Sequence, residues 1–222
     1  TFSNDSANWE TMAQGAEIPS QTGNSGKALV TDGSTLSWGN GGSLVPLATH
    51  RVSGTTANIY FTNVFTNDYD VYYMTCTKLV TANDSGGIYM KFTKNGNNTE
   101  HTDADYRGVT GGSEVQSNQS NHGQLRGQWN QQEFHIHPAG GNTSNNGGTG
   151  GINYQFYFHR PRANEWTNVR GTYVGTRDLL DGVYGGTFSG QCTTSTSMTG
   201  CEFTCSGGFS EGIFHLYGIA GA

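Results

Sequence analysis

Three acids and two histidines in the middle of this 222-residue chain are the side chains whose types could do chemistry. Asp103, Asp105 and Glu133 are the acids to test for glycan cleavage, which needs two carboxyls held about 5 to 9.5 Å apart. Acids in polar loops of this kind read more simply as solvated groups. His135 and His137 stand two apart, so on a strand they share a face, and chains gathered around an axis would offer several imidazoles to one metal ion. The pair runs straight into Pro138-Ala139-Gly140, where a polar strand end is the commoner meaning, so neither a metal nor a cofactor is expected. No Gly-x-Ser-x-Gly elbow, His-Glu-x-x-His pair or phosphate-binding loop is present, and the chain is not read as an enzyme.

Binding is the other chemistry open to it. A sugar packs its C–H face on an aromatic ring while Asn, Asp and Gln take its hydroxyls. Tyr106, Trp129, Trp166 and Tyr173 are the candidate rings. Tyr106 and Trp166 are kept as receptor-binding residues, and Trp129 and Tyr173 are assigned to the core or to subunit contacts. Among the four cysteines, Cys201 and Cys205 on one strand would stand roughly 13 Å apart, beyond disulfide reach. A Cys192–Cys201 bond across a loop is therefore expected, with Cys76 a buried thiol.

These residues need a scaffold, and composition says which kind. Thirty-four glycines, 13% charged residues and 12% aromatics favour short strands joined by many turns. A net charge of −6 with eleven Lys and Arg disfavours a nucleic-acid groove. No stretch has the apolar length of a membrane span, and no leader is visible. Period-two alternation marks strands at Ile59–Phe61, Val71–Val80, Ile88–Phe92, Gln128–His137, Ile152–His159, Val169–Val174, Gly185–Ser189 and Ile213–Ile219. Gly111 to Gly123 and Gly140 to Gly151 read as loops, and Thr176 to Asp181 as one helical turn. The fold class is all-β: an antiparallel β-sandwich, jelly-roll-like, over residues 46–222. Residues 1–45 form an extended arm and a β-hairpin stalk. Asp32-Gly33 supplies a two-residue turn that sets Leu29 against Leu36 and Lys27 against Trp38. The apolar face of Leu29, Leu36 and Trp38 needs partners that two strands alone do not supply, and copies of the same hairpin in other chains would supply them.

The hairpin SGKALVTDGSTLSWG, starting at Ser25, resembles a short element that recurs in tail fibres and other appendages of tailed bacteriophages. The closing SEGIFHLYGIAGA is similar to the "LYGI" ending of phage β-sandwich virion proteins. Between them, IYFTNVFTNDYDVYYMTCTKL and GGIYMKFTKNGN resemble the opening strands of the same proteins. The resemblance implies a structural virion protein on the particle surface, the distal part of a tail fibre that contacts a host-surface glycan or protein. It further implies a homo-oligomer, a trimer by expectation, whose arm joins other virion proteins. A capsid decoration or head-fibre protein is the alternative, and a glycan-cleaving tailspike the third reading.

Overall fold

A computed structural model describes residues 19–24, 27–31, 34–39, 43–82, 87–96, 99–116, 119–136, 151–177 and 182–220. The chain falls into two compact units, Thr1–Val45 and Pro46–Ala222. In the first, β1 (Ala28–Thr31) and β2 (Leu36–Gly39) pair antiparallel. Leu29 stands opposite Trp38 and Thr31 opposite Leu36, a register two residues away from the expected one. The observed pairing sets the two bulkiest side chains against each other, in place of Lys27 against Trp38. Because side chains alternate with a period of two, an even shift keeps Leu29, Leu36 and Trp38 on one face. The Trp38 indole Nε1 donates to the Pro19 carbonyl at 2.8 Å. Leu29 is 40% exposed, and Leu36 and Trp38 are half-buried. Asp32-Gly33 lies outside the described residues.

The second unit is all-β, antiparallel and sandwich-like, with no helix among the described residues. Its strands are β3 (Leu44–Phe61), β4 (Val71–Thr81), β5 (Ile88–Lys94), β6 (Thr99–Glu100), β7 (Tyr106–Gln116), β8 (Gln119–Gln131), β9 (Phe134–His135), β10 (Gly151–His159), β11 (Thr167–Arg177), β12 (Gly182–Cys192) and β13 (Gly200–Ile219). They form one curled sheet in the order β6-β5-β13-β4-β10-β11-β12-β7-β8, with β3 on β13 and β9 on β5. The β5 strand ends at Asn95-Gly96, both residues at positive φ (64° and 66°), as an Asn-Gly turn requires.

Alternating residues of these strands fill the interior. Tyr72 and Met74 of β4, Met90 and Phe92 of β5, Phe156 and Phe158 of β10, Phe188 of β12 and Phe203 and Phe214 of β13 are all buried. Phe156 meets Phe188 at 5.1 Å and Phe203 at 5.2 Å between ring centroids, so strands far apart in the sheet order are packed together. Each such ring contributes about 1.5–3 kcal/mol by leaving water.

The curl is held by β9. Its backbone pairs with β5 through Tyr89–His135 and Met90–Phe134. On the far side Gln128 of β8 bonds His135 twice, Nε2 donating to the carbonyl at 2.9 Å and the His135 N–H donating to Oε1 at 3.1 Å. Thr110 Oγ1 donates to the same carbonyl.

Several expectations are corrected here. Gly111 to Gly123 is not a loop: it belongs to the β7–β8 hairpin, of which residues 117–118 are undescribed. A Cβ on Gly112 would stand 2.2 Å from the Tyr173 hydroxyl, so this glycine makes room for a neighbouring ring and does not mark a turn. Thr176 and Arg177 finish β11 and are not helical; residues 178–181 are undescribed, as is 140–150 of the second expected loop. The Cys192–Cys201 bond is absent, because all four cysteines are buried free thiols. Cys192 closes β12 opposite Tyr106 and Thr167, whereas Cys201 pairs with Phe92 in β5. Burial pushes the Cys192 thiol up to about 12 and raises that of Cys201 as well.

Candidate functional site: a basic, aromatic groove on the outer face

The outward residues of six neighbouring strands form two parallel rows. One row runs Arg107, Gln191, Asn168, His159 across β7, β12, β11 and β10. The next runs Val109, Ser189, Arg170, Tyr157 and continues over Tyr73 of β4 to Tyr217 of β13. Successive outward residues on a strand are roughly 6.6 Å apart, about the width of one sugar ring. Between the rows lie inward-facing positions, and two of them, Gly108 and Gly190, have no side chain to occupy space above or below. The result is an open groove of about 790 Å³, joined through Arg170 and Ser189 to a second hollow of about 400 Å³ floored by Gly171.

Trp129 stands over one end and is 68% exposed. Its placement comes from β8, where the register slips between the Tyr106 and Gly108 pairs and Asn130 takes a positive φ of 52°. That bulge turns the indole outward. Arg107 stacks on it, the guanidinium carbon 4.1 Å from the ring centroid. Arg170 covers Tyr157 in the same manner at 5.2 Å, and Tyr157 continues the row to Tyr73 at 4.9 Å and on to Tyr217 at 6.2 Å. Gln191 Nε2 donates to Asn168 Oδ1 at 2.8 Å, which fixes both amides along the wall. Burial and the nearby Arg170 charge lower the His159 pKa, keeping its ring neutral. The titratable groups described in the lining are Arg107, Arg170 and His159, and no carboxylate is among its lining residues. On a chain of net charge −6 this is a locally positive, aromatic surface with amide and hydroxyl partners.

The residues singled out from sequence fall elsewhere, with one exception. Trp129, assigned to the core or to subunit contacts, is not a core residue: it is the exposed ring of the groove, turned outward by the β8 bulge. Tyr173 is buried beside Tyr154 and Tyr184. Tyr106, expected as a receptor contact, is fully buried: its hydroxyl donates to the His101 carbonyl and accepts from the Phe92 N–H, both at 2.9 Å, and the ring packs on Phe134. It cannot touch a ligand. Trp166 is half exposed in the β10–β11 connection and does not line the groove.

The three acids sort into two settings. Asp103 and Asp105 flank His101 in the β6–β7 loop. Glu133 lies 3.8 Å from Lys91, which also pairs with Glu100 at 2.8 Å. Glu202 of β13, opposite Lys91 in register, completes that second group. It exposes none of its surface, neither carboxylate oxygen has a hydrogen-bond partner, and burial followed by the Glu100 charge raises its pKa to about 7. His135 packs edge-on against Tyr89 at 4.4 Å, and burial together with the Arg126 charge lowers its pKa to about 4. His137 lies outside the described residues.

Arg107, Asn168, Arg170 and Gln191 were missed, and His159, though on the polar face of its strand, was given no role, because the polar faces of neighbouring strands were not read together. The complementary signal, long polar residues at the outward positions of adjacent strands, was present in the same segments. Comparisons with protein-family models, with curated proteins and with solved structures returned no match.

Proposed function

We propose that this chain is a structural protein of a tailed-phage particle, the distal domain of a tail fibre or related appendage, and that it binds an acidic host-surface glycan in the groove beneath Trp129. One observation carries the binding reading: a groove walled by two guanidiniums, a neutral imidazole and amides, with an exposed indole, half-buried phenol rings beside it and no acid in its lining. Guanidinium forks match carboxylate or sulfate groups, and the rings take the apolar faces of the sugars. The virion setting rests on the resemblance of the hairpin and of the LYGI ending. The exposed Leu29 with Leu36 and Trp38 supports a stalk that assembles into a trimer and joins other virion proteins through its arm.

Binding without cleavage is favoured because Glu202, whose pKa is raised to about 7, offers no surface to a substrate, and Glu133, whose pKa burial also raises, does not line the groove. The test is a glycan array probed with the purified chain and with Trp129→Ala, followed by product analysis on the best ligands. The expected outcome is retention of uronate- or sulfate-bearing glycans by the wild type, loss in the variant, and no released oligosaccharide. Retention confined to neutral glycans, or equal retention by both proteins, would overturn the assignment.

A further inference from the structure

The β6–β7 loop brings His101, Asp103 and Asp105 together, with one ligand atom from each within 4.8 Å of the others. The loop is fixed from three sides. The His101 N–H donates to the Phe92 carbonyl at 2.9 Å, the Tyr106 hydroxyl donates to the His101 carbonyl at 2.9 Å, and the Asp105 carbonyl accepts from the N–H and the hydroxyl of Thr193 at 2.9 and 3.1 Å. His101 is 1% exposed.

The two ring nitrogens have different surroundings. Nε2 lies 3.1 Å from Asp105 Oδ2, within hydrogen-bond distance. Nδ1 is closed to solvent and has no hydrogen-bond partner, yet it faces Asp103 Oδ2 at 3.8 Å. That distance is too long for an N–H···O bond and leaves room for an ion between the two atoms. Two ligands of one ion, each about 2.0–2.2 Å from it, stand this far apart at a bond angle of roughly 120–145°. A carboxylate behind a metal-binding imidazole is also the arrangement that fixes its tautomer and increases its basicity.

We propose that His101 Nδ1 and Asp103 Oδ2 hold a divalent transition-metal ion such as Zn²⁺, oriented by Asp105 and completed by water on the exposed side of Asp103. An imidazole ligand favours Zn²⁺ over Ca²⁺ or Mg²⁺, which prefer all-oxygen shells. Asp103 is 72% exposed, which gives the ion its entry. Cys192 is not among the residues whose ligand atoms converge here.

The experiment is calorimetric titration of the full chain with ZnCl₂ at neutral pH, with CaCl₂ in parallel, and ¹⁵N NMR of the histidine rings. The expected result is one saturable zinc site, no calcium response and a zinc-dependent shift of His101 Nδ1. Asp103→Asn, an exposed change that keeps the fold, should weaken zinc binding by about tenfold or more, and Asp105→Asn by about 10–100-fold. Cys192→Ser should leave it unchanged. Absence of saturable zinc binding, or equal zinc affinity in Asp103→Asn, would overturn the proposal.

Discussion

Gln128 and His135 join as two neighbouring strands do, with the side-chain amide of one standing in for backbone: Nε2 donates to the His135 carbonyl at 2.9 Å and Oε1 accepts from its N–H at 3.1 Å. Because β9 pairs with β5 on its other side, this amide, with the Thr110 hydroxyl on the same carbonyl, connects the two ends of the curled sheet. Gln128→Leu should leave the His135 N–H unsatisfied in a buried setting and cost about 1–3 kcal/mol. Gln128→Glu should cost more at neutral pH, since a carboxylate accepts but cannot donate to the carbonyl. Urea unfolding midpoints and hydrogen exchange at the His135 amide measure both, and an unchanged midpoint in Gln128→Leu would show that the closure is held by other contacts.

Gly190 lies under the groove, and a Cβ there would stand 2.3 Å from the Phe134 ring and 2.8 Å from the Arg107 carbonyl. The ring could move only by disturbing β9, and the carbonyl belongs to β7. Gly190→Ala should therefore destabilise the fold by about 1–3 kcal/mol, the range for overpacking. Thermal unfolding of the variant checks this, and an unshifted transition would contradict it.

Glu202 sets a pH dependence. Its folded pKa of about 7, against an ordinary 4.5, means that between these values the native chain keeps a proton that the unfolded chain has released. Its contribution to stability is therefore lost as pH rises from about 4.5 to about 7 and stays flat above that. His135 acts oppositely: its pKa falls from 6.5 to about 4, so its contribution is lost as pH falls through that interval. Glu202→Gln keeps the His135 term and removes the other. The variant should gain stability relative to wild type as pH rises through 4.5 to 7, read from denaturant midpoints at a series of pH values. A difference independent of pH would contradict the assignment.

How much of this was legible beforehand varied with what each residue type can signal. Val71–Val80 and Ile152–His159 carry bulky side chains in strict alternation, and both are strands of the central sheet. Strand β7 was hidden because Gly112 makes room for the Tyr173 ring and Gly108 for the backbone of β12, and a glycine admitting a close neighbour is written like a glycine in a turn. The hairpin face was legible, its register was not: Asp32-Gly33 favours a tight turn, but Leu29 pairs with Trp38. Tyr106 and Trp129 exchanged places for a related reason. Nothing local to Tyr106 reports that its hydroxyl will be satisfied between Phe92 and His101, and nothing local to Trp129 announces a bulge at Asn130.

The stalk makes its own prediction. If the faces of Leu29, Leu36 and Trp38 meet between copies of the chain, as proposed, the full chain should sediment as a trimer. Replacing all three with Ser should return a monomer with an intact sandwich, reported by unchanged near-ultraviolet circular dichroism apart from the loss of Trp38. A monomeric wild type at micromolar concentration would contradict this.

The most direct test of the binding account is calorimetric titration of the purified chain with acidic surface polysaccharide from a susceptible host, comparing wild type, Trp129→Ala and Arg170→Ala. Saturable binding that weakens about tenfold or more in each variant, as expected when a stacked ring or a charged hydrogen bond worth about 1.5–3 kcal/mol is removed, is the predicted result. Binding of equal strength in all three proteins would contradict it.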